Sequence, residues 1–453
     1  MMKDMTTGNP TKIIFLFALP IFIGNLFQQF YTMIDAMIVG KFVNVDALAA
    51  VGATNSINFF MISLIIGLMS GVSVVVAQYF GYKNFDKLKD VIATATYAVV
   101  VTAIVLTVLG ILLAKPLLLL LRTPPEIMDD ATIFLTTLFI GILPMSLYNG
   151  IAAILRALGN SFTPLLFLIF SSLLNIGLDF LLVVYWHMGV RGAALATVLS
   201  QFIAAILCIY YAYRHVPFMR IERAKFKVTP SLLKEMIRIG LPSGLQGSFI
   251  SVGNMILQTL INGFGSAVVA AYTAASRIDS LTYQPGIAFG QASSMFAGQN
   301  MGAGKIDRVK KGYWAGIKVV TIISIIITIL VQLFAKQFLL LFVDAKETEV
   351  IKIGMSYLVV VSLFYVVVGI LFVVRETLRG TGDAIVPLAM GIFELVSRLA
   401  IGFALSLVMG YLGLWWATPV AWITATCLGV WRYSSGNWMK KAVVRQEREE
   451  INP

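Results

Sequence analysis

Charge is what this chain has least of. Only 12% of its 453 residues are Asp, Glu, Lys or Arg, about half the share of an average soluble domain, while 59% are hydrophobic. Such a composition excludes a soluble protein. A net charge of +12 would suggest nucleic acid in a soluble chain, but here the basic residues fall between apolar runs, where they orient the chain and meet anionic lipid heads. Cysteine is equally scarce: Cys208 and Cys427 sit in apolar segments without metal-ligand spacing and read as ordinary buried thiols. The two histidines, His187 and His215, fall in connections, which excludes an intramembrane histidine relay. No Ser, His or metal constellation supports catalysis, so an enzyme is not expected.

Long apolar runs are abundant, and they read as an all-α integral membrane protein. Twelve transmembrane helices are expected at about 12–40, 47–80, 88–114, 126–157, 163–186, 191–214, 231–262, 266–299, 308–335, 349–378, 384–409 and 413–438. Turn chemistry marks the connections, as in RTPPE at 122–126 and RALGNSFTP at 156–164. The start, MMKDMTTGNPTK, leads into a run too long for a signal-peptide core, so the first helix is expected to direct insertion. The N-terminus, even-numbered connections and tail hold 24 Lys and Arg, against seven in the odd-numbered connections. By the positive-inside rule both termini are cytoplasmic.

The halves are copies of one another. Leu19-Pro20 returns as Leu241-Pro242, and RALGNSFTP from Arg156 returns as RGTGDAIVP from Arg379. MGVRGAALAT from Met188 returns as MGYLGLWWAT from Met409, always at a spacing of 221–223. Two pseudo-symmetric six-helix lobes follow: 1–214, a cytoplasmic linker 215–230, and 231–453 with its basic tail. Duplicated lobes of this kind serve alternating access.

Chemistry is expected where acids lie inside the membrane, at Asp35, Asp179, Asp279 and Glu394, because each costs roughly 2.5 kcal/mol or more there. Helical rise puts Asp35 and Thr197 about 9 Å, and Asp179 about 12 Å, from the outer face. Asn175 lies one turn from Asp179 on the same helical side. Two carboxylates in an apolar setting do not both stay charged cheaply, so the pair should hold a proton or recruit a cation. Asp, Asn and Thr oxygens also suit a hard ion such as sodium. In the second lobe Arg277, Asp279, Glu394 and Arg398 lie near mid-membrane, and a self-paired neutral network is the expectation. Asp279 or Glu394 is alternatively a source of negative charge for a cationic substrate. Pro20 is read as a bend that is either static or a hinge moving Asp35. Gln28, Tyr31, Met33, Phe60, Met61, Tyr148, Tyr272 and Tyr283 are candidates for a greasy, cation-accepting cavity. Gly380-Thr381-Gly382-Asp383 looks like the GxGD of intramembrane proteases, but its repeat mate lacks the acid and a helix–helix turn explains it better.

The duplicated twelve-helix pattern, the early Leu-Pro, Asp35, the RALGNSFTP turn and Asn175–Asp179 (NIGLD) followed by GVRGAALAT resemble the MATE (multidrug and toxic compound extrusion) family over essentially the whole chain. Asp35, Asn175, Asp179 and Thr197 match the cation-coupling positions of its DinF-like branch, and Pro20 matches its bending proline. Helix 7 lacks the acid, and helix 10 carries only Glu376 near its cytoplasmic end, so the match to the NorM-like sodium branch is incomplete. The resemblance implies secondary active antiport: lipophilic, often cationic compounds leave while protons, or sodium ions, enter. It implies no cofactor, no nucleic acid, a lipid bilayer and small organic molecules as partners, a monomer, and a bacterial cytoplasmic membrane. A flippase for a lipid-linked precursor is the alternative; it should show a basic central cavity and added helices.

Overall fold

The computed structural model describes residues 2–220 and 227–444. Part of the expected linker, 221–226, and the basic tail from 445 lie outside the described residues. The described chain is helical throughout. Helices α1 (Pro10–Phe42), α2 (Val45–Tyr82) and α3 (Phe85–Leu120) come first. Helices α4 (Pro125–Ile140) and α5 (Ile142–Ala157) form one rod bent by 43°. Helix α6 (Phe162–Asp179) runs into a π-helical turn, Phe180–Tyr185, and α7 (Gly189–His215) closes the first half. Helix α8 (Pro230–Asn262) opens the second. Helices α9 (Ser266–Thr282) and α10 (Gln284–Gly302) are interrupted at Tyr283 and followed by α11 (Ile306–Leu339). A second bent rod, α12 (Thr348–Ser362) with α13 (Tyr365–Gly380), turns by 50°. Helices α14 (Ile385–Met409) and α15 (Tyr411–Ser434) end the series.

These elements line up as twelve rods, six to each half. Among the described residues seven helices are long and apolar enough to span a membrane alone, and the two bent pairs make nine. The other three rods are α8, α9–α10 and α15, diluted by polar residues such as Arg277 and Asp279. Several boundaries differ from the sequence expectation: α10 ends at Gly302 rather than 299 and α11 at Leu339 rather than 335, and two further ends have a clear cause. Helix α3 runs to Leu120 rather than 114, because the apolar run continues past Pro116. Helix α15 stops at Ser434 rather than 438, because Gly436 (φ 70°) reverses the chain and buries Trp438 against Tyr433. Of the thiols, Cys208 is buried, but Cys427 is exposed and corrects the expectation.

Turn geometry repeats with the sequence. Gly159 and Gly382 both take positive φ (86° and 94°), as do Gly189 and Gly410 (57° and 61°). Gly159 N–H donates to Arg156 O and Gly382 N–H donates to Arg379 O, each at 2.9 Å. Thus Gly380–Asp383 is a helix–helix turn, and Asp383 is buried and paired with Arg432 at 2.7 Å.

Two compact units form. One holds Ile23–Gly244 and the residues up to Asp4; the other holds Met5–Phe22 and Leu245 onward. Their limits divide α1 and α8 two residues past Pro20 and Pro242. Each of these helices continues through its proline without a break. In the first unit, α2 crosses α8 at near-backbone contact: a Cβ on Gly67 would stand 2.3 Å from Gly244 N, and one on Gly71 2.2 Å from Met236 O. In the second, Phe15 of α1 packs on Phe289 of α10, with ring centroids 6.1 Å apart.

Candidate functional site

The first unit gathers the acids expected there. Tyr31 and Asp35 are i,i+4 on α1, and Asn175 and Asp179 are i,i+4 on α6, so each pair projects from one helical face. Gly24 lets α1 approach α6 closely, since a Cβ there would lie 3.1 Å from Leu168. The Asp35 and Asp179 carboxylates interact directly, and the Tyr31 hydroxyl lies near both. Asn175 Nδ2 donates to Thr197 Oγ1 at 3.4 Å, while Thr197 Oγ1 donates to Ala193 O at 3.2 Å. Asp179 is 0% exposed and Asn175 2%. Asp35 Oδ1, Asn175 Oδ1 and both Asp179 oxygens are buried without a hydrogen-bond donor among the described residues. Such groups are costly, and a proton held between the carboxylates, or a cation, would relieve that cost. One turn along the chain from Asp35 and from Asp179, Ile38, Val39 and Val183 join Phe134, Val190 and Ala193 in an apolar cluster. Asp179 also ends α6 where the π-turn begins; such wide turns gather at functional sites, and the apolar pattern of NIGLDFLLVVY gave no sign of it.

The second unit arranges its charges differently from expectation. Glu394 accepts from Arg398 Nη2 at 3.0 Å, as i,i+4 spacing allows, and also from Arg375 Nη2 at 2.7 Å. Arg398 donates in addition to Asn254, and Arg379 to Glu376 and Gln246. Arg277 and Asp279 stand outside this network. Arg277 is exposed and lines a 550 Å³ cavity with Asp344 and Glu347. Asp279 is 2% exposed and accepts hydrogen bonds from Tyr357 (2.6 Å) and Tyr365. The reason is directional: residues two apart on a helix face different ways, so Arg277 and Asp279 do not share surroundings. Sequence reading missed Tyr357, Tyr365, Arg375 and Asn254, since none departs from ordinary helix composition in a way that names a partner.

The remaining candidates scatter. Tyr31 and Met33 are half-buried, and Gln28 and Phe60 are exposed. Met61 belongs to the apolar core of the first unit, and Tyr148 is buried with its hydroxyl donating to Pro164 O at 2.9 Å. Tyr272 stacks on Trp415 and Tyr283 meets Trp422 edge-on.

Twelve helical rods in two six-helix halves, with buried acids in each, define a multi-pass membrane transporter, and comparison with known proteins identifies which kind. The MatE family model matches residues 20–181 and 242–404, one copy in each half. YpnP of Bacillus subtilis, described as a probable multidrug resistance protein, is 31% identical over 438 residues, covering 96% of this chain and 97% of its own. NorM of Thermotoga maritima, likewise described, is 25% identical, covering 95% and 94%. A MOP-superfamily transporter from Pyrococcus furiosus has the same fold, with a TM-score of 0.90 at 24% identity over 97% of this chain and 98% of that one. An outward-facing MATE multidrug resistance transporter gives a TM-score of 0.91, again at 24% identity and with coverage of 97% and 98%. The chain belongs to the MATE family of multidrug efflux transporters, a family of transporters and not of enzymes.

Proposed function

We propose that the chain is a cation-coupled antiporter that exports small, lipophilic, often cationic organic compounds in exchange for protons, by alternating access. The observation that carries this reading is the set of donor-less buried oxygens on Asp35, Asn175 and Asp179. Protons arriving from outside neutralise Asp35 and Asp179, which removes the local negative charge that favours a cationic substrate. The part of α1 that bears Asp35 then shifts about Pro20, substrate leaves, and return to the inward state releases the protons to the cytoplasm. Sodium at the oxygens of Asp35, Asn175, Asp179 and Thr197 is the alternative coupling ion, in keeping with a hard, oxygen-only ligand set.

The charge distribution supports both termini lying on the cytoplasmic side of a bacterial cytoplasmic membrane; in this proposal the chain acts as a monomer with lobes 1–214 and 231–453 joined by 215–230. A lipid-linked-precursor flippase fits less well, because the buried Arg375, Arg379 and Arg398 are each engaged by a carboxylate or amide. The test is substrate efflux from reconstituted vesicles, driven separately by a pH gradient and a sodium gradient. The wild type should respond to the pH gradient alone, and Asp35→Asn and Asp179→Asn should stall. Normal transport by both variants under either gradient would make these aspartates structural and sink the reading.

A further inference from the structure

Asp279 is a buried carboxylate that plays no part in the antiport cycle just described. Its Oδ2 accepts from Tyr357 of α12 at 2.6 Å, and its Oδ1 accepts from Tyr365, the first residue of α13. Those two helices meet at the 50° bend, so one carboxylate is held from both sides of a break in the rod. Tyr283 also lies close to this carboxylate, and the tyrosines around it are tied to other rings. Tyr357 meets Tyr272 and Trp415 edge-on at 5.5 and 5.0 Å, and Tyr365 meets Tyr283, at the head of α10, at 6.2 Å. Trp422 of α15 lies against Tyr283 at 5.6 Å.

No cation among the described residues forms an ion pair with it. Arg277 on its own helix opens onto the cavity shared with Asp344 and Glu347. Arg398 and Arg375 are engaged by Glu394, and Arg379 by Glu376. Arg375, Arg379, Arg398 and Arg432 thus stand against Glu376, Glu394 and Asp383, a set that becomes neutral only when Asp279 is charged. A carboxylate placed among phenols and indoles keeps its charge only while both hydroxyls stay aimed at it. Straightening or tightening the α12–α13 bend moves Tyr365 relative to Tyr357, withdraws a donor, and favours uptake of a proton from water at the freed oxygen. Restoring the bend expels that proton.

We propose that Asp279, with Tyr357 and Tyr365, is a second proton-binding site, linked to the bend of the α12–α13 rod and separate from Asp35 and Asp179. This rests on the antiport reading, and it adds one proton to each transport cycle. The test begins with infrared difference spectra of the purified protein in lipid, titrated over about pH 4–9, the span that carboxyl groups in proteins cover. A carboxylic-acid C=O band present in the wild type should be absent in Asp279→Asn. It should titrate about one pH unit away in Tyr357→Phe and in Tyr365→Phe, the equivalent of one hydrogen bond. Wild-type and Asp279→Asn spectra that superimpose would overturn the proposal. If Asp279→Asn does not fold, the two Phe variants keep the carboxylate and the ring shapes, and unshifted titration in both overturns it equally.

The second measurement is the pH gradient that just balances a gradient of tetraphenylphosphonium across vesicles. The proton-to-substrate ratio should fall by one in Asp279→Asn, and an unchanged ratio would remove the site from the cycle. Transport by Asp35→Asn under a pH gradient would instead break the antiport reading of the first unit, leaving the infrared result at Asp279 intact. The two failures are therefore distinguishable.

Discussion

In the first unit Asp35 and Asp179 face each other with Asn175 and leave four buried oxygens without donors, whereas in the second Glu394 is held by two guanidiniums and Asp279 by two phenols. The units descend from one repeat, yet their acids are not equivalent. At the repeat spacing Leu257 stands where Asp35 would, Asn58 where Asp279 would, and no acid lies at 400–402, where Asp179 would. The backbone departs from symmetry at the same places. The π-turn after Asp179 has no counterpart in the continuous α14, and the interruption at Tyr283 has none in the continuous α2. A shared skeleton thus carries an under-satisfied centre on one side and a nearly satisfied one on the other. Under-satisfied groups are suited to exchanging an ion; Glu394, held by two guanidiniums, holds structure together, and Asp279 exchanges a proton, in the proposal above, only when the bend withdraws a phenol.

The sharpest way to break this comparison is Asp179→Asn. Gradient-driven efflux should fall to the rate of protein-free vesicles while thermal stability in detergent stays level or rises, because a buried charge without a donor has been removed. Transport at the wild-type rate would erase the distinction. Glu394→Ala is the mirror experiment. It strands Arg375 and Arg398 in the interior and should lower stability by about 3–5 kcal/mol, measured by denaturant unfolding. A change well under that would mean the second unit's charges are as loosely held as the first's. Gly67→Ala forces a Cβ into the α2–α8 crossing at 2.3 Å from backbone and should cost about 1–3 kcal/mol by the same measurement, since neither main chain can yield easily. Tyr148→Phe has the smallest expected effect. It loses only the hydrogen bond to Pro164 O, at a cost of about 1 kcal/mol, and efflux should be unchanged. Loss of efflux in this variant would return Tyr148 to the transport path.

Much of the site was legible because membrane helices make polar residues conspicuous. Asp35, Asn175, Asp179 and Thr197 are anomalies of composition, and i,i+4 spacing plus depth counting was enough to gather them. The second unit resisted the same reasoning. Arg277 and Asp279 appeared to belong with Glu394 and Arg398 by depth, but depth is one coordinate and azimuth about the helix is another. Two residues' separation on α9 sends Arg277 to a cavity and Asp279 to the tyrosines. Cavity candidates fared alike: Met61 and Tyr148 are as hydrophobic and as central as a lining residue, yet both are spent on packing.

The sequence by itself determined the membrane, the twelve rods, the duplication and the positions of the buried acids. All four follow from local composition or from comparing one stretch with another, and lipid leaves the chain few alternatives to helices. Tertiary structure decided which acid has which partner, where the rods bend, and that the acids Asp35 and Asp179 of the first half are the ones left with donor-less carboxylate oxygens. Those outcomes depend on how helices rotate and cross. A Tyr on α12 reaches Asp279, and Arg375 reaches Glu394, only when the packing of neighbouring rods turns those faces together.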